Sequence, residues 1–207
     1  MVRCAEREYG HRSDQLGVAL AVVDLARQKN RIAIVNGAGT TRLTNENCTP
    51  NSIHYAWDTY AMANSTARAI VENGGKRWYF LTADYAFGQQ IERDVTQVVR
   101  SAGGEVIGTS RHPFNASDFS SYIVKAQGSG AQIIGLANGG GDTINAIKAA
   151  AEFGIDPAKQ NLAGLAVFIT DVNGVGLKAA QGCCRPRPSI GISMSTRAPG
   201  PGASSSV

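Results

Sequence analysis

Residues suited to holding a small charged molecule follow four apolar runs of this sequence. The first group is NGAGTT, residues 36–41. Its small residues let a ligand approach the backbone N–H groups, and Thr40 and Thr41 add hydroxyls. That combination suits a carboxylate or another anion at the start of a helix. A glycine-rich turn with a threonine cap is the structural alternative for the same residues.

Two aromatic residues form the second group, at the corner where an apolar run gives way to a helical pattern. The run WYFLTA, residues 78–83, is followed by Tyr85, Phe87 and then Gly88. Rings at such a turn either cover the hydrophobic core or form the walls of a ligand site. The sequence leaves both interpretations open.

The third and fourth groups each contain an aspartate. In LANGGGDT, residues 136–143, three glycines clear space, and Asn138 and Asp142 can face the same cleft. Asp142 is suited to accepting hydrogen bonds from a ligand ammonium. Its structural alternative is the N-cap of the helix that follows, because aspartate is a favoured cap. Asp171 in TDVNG fits a turn-forming role better than a ligand-binding one.

Motifs for catalysis, metals and nucleotides are missing from the sequence. NGAGTT and GGGDTI both lack the final glycine of GxGxxG, and neither GxxxxGK[ST] nor GxSxG occurs. The histidines are scattered and have no identifiable nucleophile as partner. No CxxC spacing joins the four cysteines, which are Cys4, Cys48, Cys183 and Cys184. We therefore expect no enzyme activity, no cofactor and no metal.

Composition indicates a globular protein. The chain has 207 residues, of which 43% are hydrophobic and 17% charged. No apolar run approaches the roughly 20 residues of a membrane helix, and the N-terminus shows no signal-peptide pattern. The formal net charge is +4, and most of it comes from three arginines in residues 183–207, where no acid occurs. We therefore expect no nucleic-acid partner.

Hydrophobic periodicity predicts alternating strands and helices. The strongest helical pattern has Ile91, Val95, Val98 and Ala102 on one stripe, and Gly103-Gly104 ends it. The predicted helices are 16–28, 59–73, 89–102, 117–127, 142–153 and 175–181, and the predicted strands are 31–38, 53–58, 78–83, 105–111, 132–138 and 162–170.

This alternation predicts an α/β fold with parallel sheets flanked by helices. In such sheets ligands collect at the carboxyl ends of the strands, which is where all four groups lie. The ends of the chain carry no such pattern, and residues 183–207 have the composition of a disordered segment.

Several blocks of the sequence resemble the leucine/isoleucine/valine-binding family of ABC transporter substrate-binding proteins, which have the type I periplasmic fold. The blocks occur in order over about residues 16–182: GVALAVVDLARQKNRIAIVNGAGTTRLT, SIHYAWDTY, LTADYAFGQQIERDV, RHPFNASDFSSYIVKAQGSGAQIIGLANGGGDTINAIKAAAEFGI and LAGLAVFITDV. The resemblance implies two α/β lobes that trap a ligand between them, here with one lobe nearly complete and the other partial.

The resemblance also implies a division of the chain. Residues 1–15 are atypical, 16–55 form a partial first lobe, 56–167 form the second lobe, 168–182 return toward the hinge and 183–207 form a disordered tail. A truncated member of the family, in the periplasm and working with ABC permease subunits, is the implied protein.

The ligand implied by the family is an amino acid or an aromatic or aliphatic carboxylate. The resemblance assigns the ligand's carboxylate and amine to Ala38, Gly39 and Thr40, a ring contact to Tyr85 and Phe87, and an ammonium to Asp142. A ligand-sensing regulatory domain of the same fold is the first alternative. An intracellular dinucleotide-dependent enzyme is the second, and the incomplete GxGxxG disfavours it.

Overall fold

A computed structural model describes residues 15–55, 57–156 and 158–176 of the chain. The predictions for residues 1–14 and for the tail 183–207 lie outside this part, as does most of the predicted helix 175–181. Seven α-helices and six strands alternate in the described residues. The helices are α1 Gln15–Gln28, α2 Thr59–Met62, α3 Arg68–Glu72, α4 Ala86–Ser101, α5 Ser120–Gly128, α6 Gly141–Glu152 and α7 Ile169–Val175. The strands are β1 Ala33–Val35, β2 Ser52–His54, β3 Arg77–Ala83, β4 Glu105–His112, β5 Ile133–Ala137 and β6 Asn161–Gly164.

Two short segments complete the helical parts. A π-helical turn, Ala63–Ala67, joins α2 to α3, so that the predicted helix 59–73 is nearly continuous. A 3-10 helix, Thr41–Leu43, follows the loop after β1.

The strands form two parallel sheets. β1 pairs with β2, with Ala33 opposite Ser52 and Val35 opposite His54. The larger sheet has the order β4-β3-β5-β6, and every pair in it is parallel. The predicted α/β fold with parallel sheets and flanking helices is confirmed.

The larger sheet is buried on both faces, as its continuous apolar strands predict. Trp78 and Phe80 of β3 pack on the side of α4, and Leu81 packs with α5 and α6 on the other. Gly135 on β5 lies opposite Phe80, and a Cβ there would come within 2.6 Å of the Phe80 ring. Alternation of side chains along each strand thus separates two hydrophobic cores.

A third, smaller core joins α1 to the two-stranded sheet through Val23, Ala33 and Val35. Several apolar side chains around it are exposed to solvent. Val18, Leu25, Ile32, Ile34 and Ile53 are all about half exposed or more, and we call these five residues the exposed apolar face.

The last predicted strand is partly wrong. Residues 162–164 are in β6, but the chain then turns, and α7 begins at Ile169. The Asp171 carboxylate accepts a hydrogen bond from the backbone N–H of Phe168 at 2.9 Å, which satisfies a donor at the start of α7. This local role agrees with the predicted turn-forming role of Asp171.

No helix in the described residues is long and apolar enough to cross a membrane.

Candidate functional site

The turn after β3 shows why two rings precede a glycine. A Cβ on Gly88 would lie 2.9 Å from the carbonyl oxygen of Ala137 and still closer to that of Ala83. Because Gly88 has no side chain, the first turn of α4 rests directly on the ends of β3 and β5. This packing brings the Phe87 ring to 3.8 Å from the Cβ position of Gly139.

Five aromatic rings form a continuous group beside the carboxyl ends of the strands. We call Trp57, Tyr85, Phe87, Phe114 and Phe168 the aromatic rim. Tyr85 lies 5.3 Å from Phe114 and 6.1 Å from Phe87, measured between ring centroids. Trp57 lies 6.0 Å from Phe87 and 5.4 Å from Phe168. These distances are typical of favourable aromatic pairs.

Asp142 lies near the rim and is only 2% exposed. It is the second residue of α6, whose N-cap is Gly140, so the predicted alternative of Asp142 as the N-cap is wrong. Its Oδ2 accepts a hydrogen bond from the backbone N–H of Asn115 at 3.2 Å. A negative charge in the first turn of a helix is also favoured by the helix dipole.

The charge of Asp142 affects the ionisation of the Tyr85 hydroxyl. Burial of Tyr85, and secondly the nearby Asp142 carboxylate, raise the pKa of Tyr85 to about 12. Both causes disfavour a charged phenolate. Tyr85 is therefore a neutral hydroxyl beside a buried carboxylate at any physiological pH.

Asn138 faces the interior, although the sequence suggested that it faces a cleft. It is fully buried, donates a hydrogen bond to His112 Nε2 at 3.2 Å and accepts one from the Thr143 hydroxyl at 2.7 Å. His112 Nδ1 donates to the carbonyl of Pro113 at 2.9 Å, which leaves Nε2 as an acceptor. This network ties the ends of β4 and β5 to the start of α6.

Neighbouring residues hold the backbone carbonyls of the predicted anion-binding segment. His54 Nε2 hydrogen bonds to the carbonyl of Ala38 at 2.8 Å, and the N–H of Thr59 donates to the carbonyl of Gly39 at 3.2 Å. The hydroxyl of Thr40 accepts from the N–H of Arg42 at 3.3 Å. Thr40 thus caps the 3-10 helix, which is the structural alternative weighed for this segment.

Trp57 links the two groups of predicted site residues. Its indole covers Gly39, where a Cβ would lie 2.6 Å from Cε3 and closer still to Cζ3, and its other neighbours are Phe87 and Phe168. Tyr85, Phe87 and Asp142 thus lie together, and Gly39 joins them through Trp57. Ala38 packs in the small core with Val23 and Leu43, and the Thr40 hydroxyl caps the 3-10 helix.

Sequence reasoning missed Trp57, Phe114 and Phe168 as members of the rim. The available signal for Trp57 was weak: it is an aromatic residue directly before Asp58, whose carboxylate caps α2 by accepting from the N–H of Ala61 at 2.7 Å. Within the described residues, no group of three or more His, Cys, Asp or Glu could hold a metal ion.

Comparison with solved structures gives strong similarity over most of this chain. A periplasmic binding protein from Burkholderia mallei is 54% identical with a TM-score of 0.74, covering 80% of this chain and 44% of that one. A branched chain amino acid ABC transporter periplasmic ligand-binding protein from Burkholderia xenovorans LB400 is 31% identical, with the same coverages and TM-score.

Among curated proteins, Leu/Ile/Val-binding protein homolog 6 of Brucella melitensis biotype 1 is 27% identical over 138 residues, which are 66% of this chain. The chain spans 35% of that relative's length and under half of each solved structure above. The sequence profile of the family described as periplasmic binding protein matches residues 14–194. Since that match includes most of the sequence, the chain belongs to the periplasmic binding protein family.

Proposed function

We propose that this chain is the ligand-binding part of a substrate-binding protein that serves an ABC importer in the periplasm. Its ligand is a branched-chain amino acid or a similar small carboxylate. Support comes from the 31% identical protein of Burkholderia xenovorans, whose description names branched-chain amino acid transport. ABC permease subunits are the corresponding partners.

The observation that carries the proposal is the pairing of the aromatic rim with a buried acid. An amino acid with an apolar side chain needs an apolar surface for that side chain and an anion for its ammonium. Tyr85 and Phe87 supply the first, and Asp142, which is 2% exposed, supplies the second. A charge-assisted hydrogen bond to a buried carboxylate is stronger than one between neutral groups.

The ligand's carboxylate is assigned to the segment Ala38, Gly39 and Thr40. In this proposal residues 16–55, with the two-stranded sheet, form part of one lobe, and residues 56–167, with the four-stranded sheet, form the other. Residues 168–182 return toward the first lobe. Ligand contacts on both sides favour the closed arrangement, which is how binding drives closure.

An aromatic carboxylate is the second candidate ligand, and the five rings of the rim favour it. A solute binding protein from Rhodopseudomonas palustris BisB5, solved with 3,4-dihydroxy benzoic acid, is 25% identical to this chain with a TM-score of 0.60. In this alternative the ring of a benzoate stacks on Phe87, where the aliphatic side chain of an amino acid would otherwise pack. A benzoate has no ammonium group to pair with Asp142.

Titration calorimetry of the 207-residue chain tests the proposal. Leucine and 3,4-dihydroxybenzoate represent the two ligand classes, and NAD represents the dinucleotide alternative. We expect leucine to bind and NAD not to bind. Binding of NAD alone would contradict the proposal. Binding of 3,4-dihydroxybenzoate in place of leucine would keep the importer function and reassign the ligand class.

A ligand-sensing regulatory domain of the same fold would bind the same molecules, so calorimetry does not separate it from the importer component. Co-purification with ABC permease subunits, in membranes that carry them, does. We expect the ligand-loaded chain to be retained by those membranes and lost from membranes without the permease. Equal loss from both would favour the sensing role.

A further inference from the structure

Trp57 touches three segments that are far apart in the sequence. Its indole lies against Gly39 after β1, Phe87 after β3 and Phe168 after β6. These segments come from both sheets, since β1 belongs to the two-stranded sheet and β3 and β6 to the larger one. One half-buried side chain therefore spans the two parts of the molecule at the strand ends.

The backbone on both sides of Trp57 is tied to the segment that the indole covers. His54 hydrogen bonds to the carbonyl of Ala38 at 2.8 Å, and Thr59 donates to the carbonyl of Gly39 at 3.2 Å. With both flanks held, the indole is directed over Gly39. The glycine itself makes this possible, because a Cβ would overlap the ring.

We propose that Trp57 is a latch residue of the candidate ligand site: its indole holds the Gly39 segment to Phe87 and Phe168, and an incoming ligand displaces it. The latch itself follows from the contacts described, and the displacement rests on the proposed function. The ligand competes with the indole for the same two surfaces, which are the side of Gly39 that the indole covers and the ring of Phe87.

Competition of this kind lowers the apparent affinity, because the intrinsic affinity is multiplied by the fraction of molecules in which the indole is out of the way. It also selects ligands, because a molecule that displaces the indole must replace its apolar contacts with Phe87 and Phe168. A ligand with a branched aliphatic or aromatic body does so, whereas a small polar anion does not.

Two variants separate the latch from a general packing role. Trp57→Ala removes the indole, and Gly39→Ala expels it while leaving it in the chain. The second change requires no unusual backbone, since Gly39 is not among the glycines with positive φ. Tyr55→Ala is the matched control, because this ring lies two residues earlier and is 80% exposed. Trp57→Phe serves if the larger truncation unfolds the chain.

The first measurement is hydrogen exchange of the ligand-free 207-residue proteins. We expect the amides of Arg42, Leu43 and Thr59, which donate hydrogen bonds to Thr40 or Gly39, to exchange roughly tenfold faster in Trp57→Ala and in Gly39→Ala, because the local opening becomes easier. Exchange in α4 and in the Tyr55→Ala control stays at the wild-type rate. Unchanged exchange of the amides of Arg42, Leu43 and Thr59 in both variants would overturn the latch.

The second measurement titrates leucine and, separately, 3,4-dihydroxybenzoate. We expect Trp57→Ala to bind the preferred probe several-fold tighter than the wild type. We also expect saturation to shift the emission of Trp57, measured against Trp57→Phe, in which Trp78 is the remaining tryptophan. If Trp57→Ala binds the probe more weakly and the Trp57 emission of the wild type does not change, the indole is a fixed part of the ligand site. That result would overturn the proposal that the ligand displaces the indole. Binding of neither probe by any variant would overturn the proposed function and displacement together, while hydrogen exchange still decides the latch.

Discussion

Gly88→Ala should destabilise the protein, because Gly88 is the point where α4 rests on the larger sheet. The added methyl would lie 2.9 Å from the carbonyl oxygen of Ala137 and closer to that of Ala83. Both oxygens belong to backbone at the ends of central strands, so no side-chain rotation relieves the overlap. Relief requires a shift of the first turn of α4, which carries Phe87.

The expected loss in the free energy of unfolding of Gly88→Ala is the difference between two opposing terms. Overpacking at a site that cannot relax costs about 3 kcal/mol, the upper part of the usual range. Replacing glycine by alanine in a helix returns about 0.5–1 kcal/mol. The net loss is about 2 kcal/mol, which corresponds to a fall in melting temperature of roughly 4–8 °C for a protein of this size.

Gly17→Ala is the matched control for that experiment. Gly17 is in α1, and a Cβ there would meet nothing within 4 Å. This variant should gain about 0.5–1 kcal/mol, so the two alanine variants should differ by about 3 kcal/mol. Urea unfolding followed by circular dichroism measures both. A Gly88→Ala protein as stable as the wild type would refute the packing account of the turn.

The other predictions concern charge, ligand and surface. Tyr85 has an ordinary pKa of 10.0, raised in the folded protein to about 12. The unfolded chain therefore loses this proton first, and stability falls by about 2 kcal/mol as pH rises between those values. Urea unfolding across that range should show this loss in the wild type and not in Tyr85→Phe. Calorimetry should show that Asp142→Asn costs leucine roughly 2–5 kcal/mol of binding free energy and a benzoate far less. We expect the exposed apolar face to make the chain self-associate, and Ile34→Thr combined with Leu25→Lys should reduce this association, measured by sedimentation velocity.

Each of these predictions has a contrary result. An equal pH dependence in wild type and Tyr85→Phe would show that the phenol stays accessible. Equal losses of leucine and benzoate binding in Asp142→Asn would remove the ammonium role. Tyr60→Thr, which changes an exposed ring outside the exposed apolar face, is the surface control. If it reduces association as much as the paired substitution, the exposed apolar face is not the contact.

Local pattern was sufficient to predict most elements of the fold. The stripe of Ile91, Val95 and Val98 predicted α4, whose corresponding side chains are all buried. Continuous apolar strands predicted the parallel sheet, because a strand covered on both faces needs no alternation. The last strand was predicted too long, because a run such as LAVFIT fits a strand and a turn that leads into a helix equally well.

The candidate site was predictable in position and only partly in composition. The sequence by itself determined that Tyr85, Phe87 and Asp142 follow strand ends, and in a parallel sheet those ends lie along one edge. Tertiary structure alone decided that Asn138 turns inward to His112 and that Trp57 covers Gly39. The physical reason is that these contacts join residues far apart in the chain. Which residues meet there depends on how rings pack against neighbouring groups, including a glycine that has no side chain, and local periodicity carries no information about it.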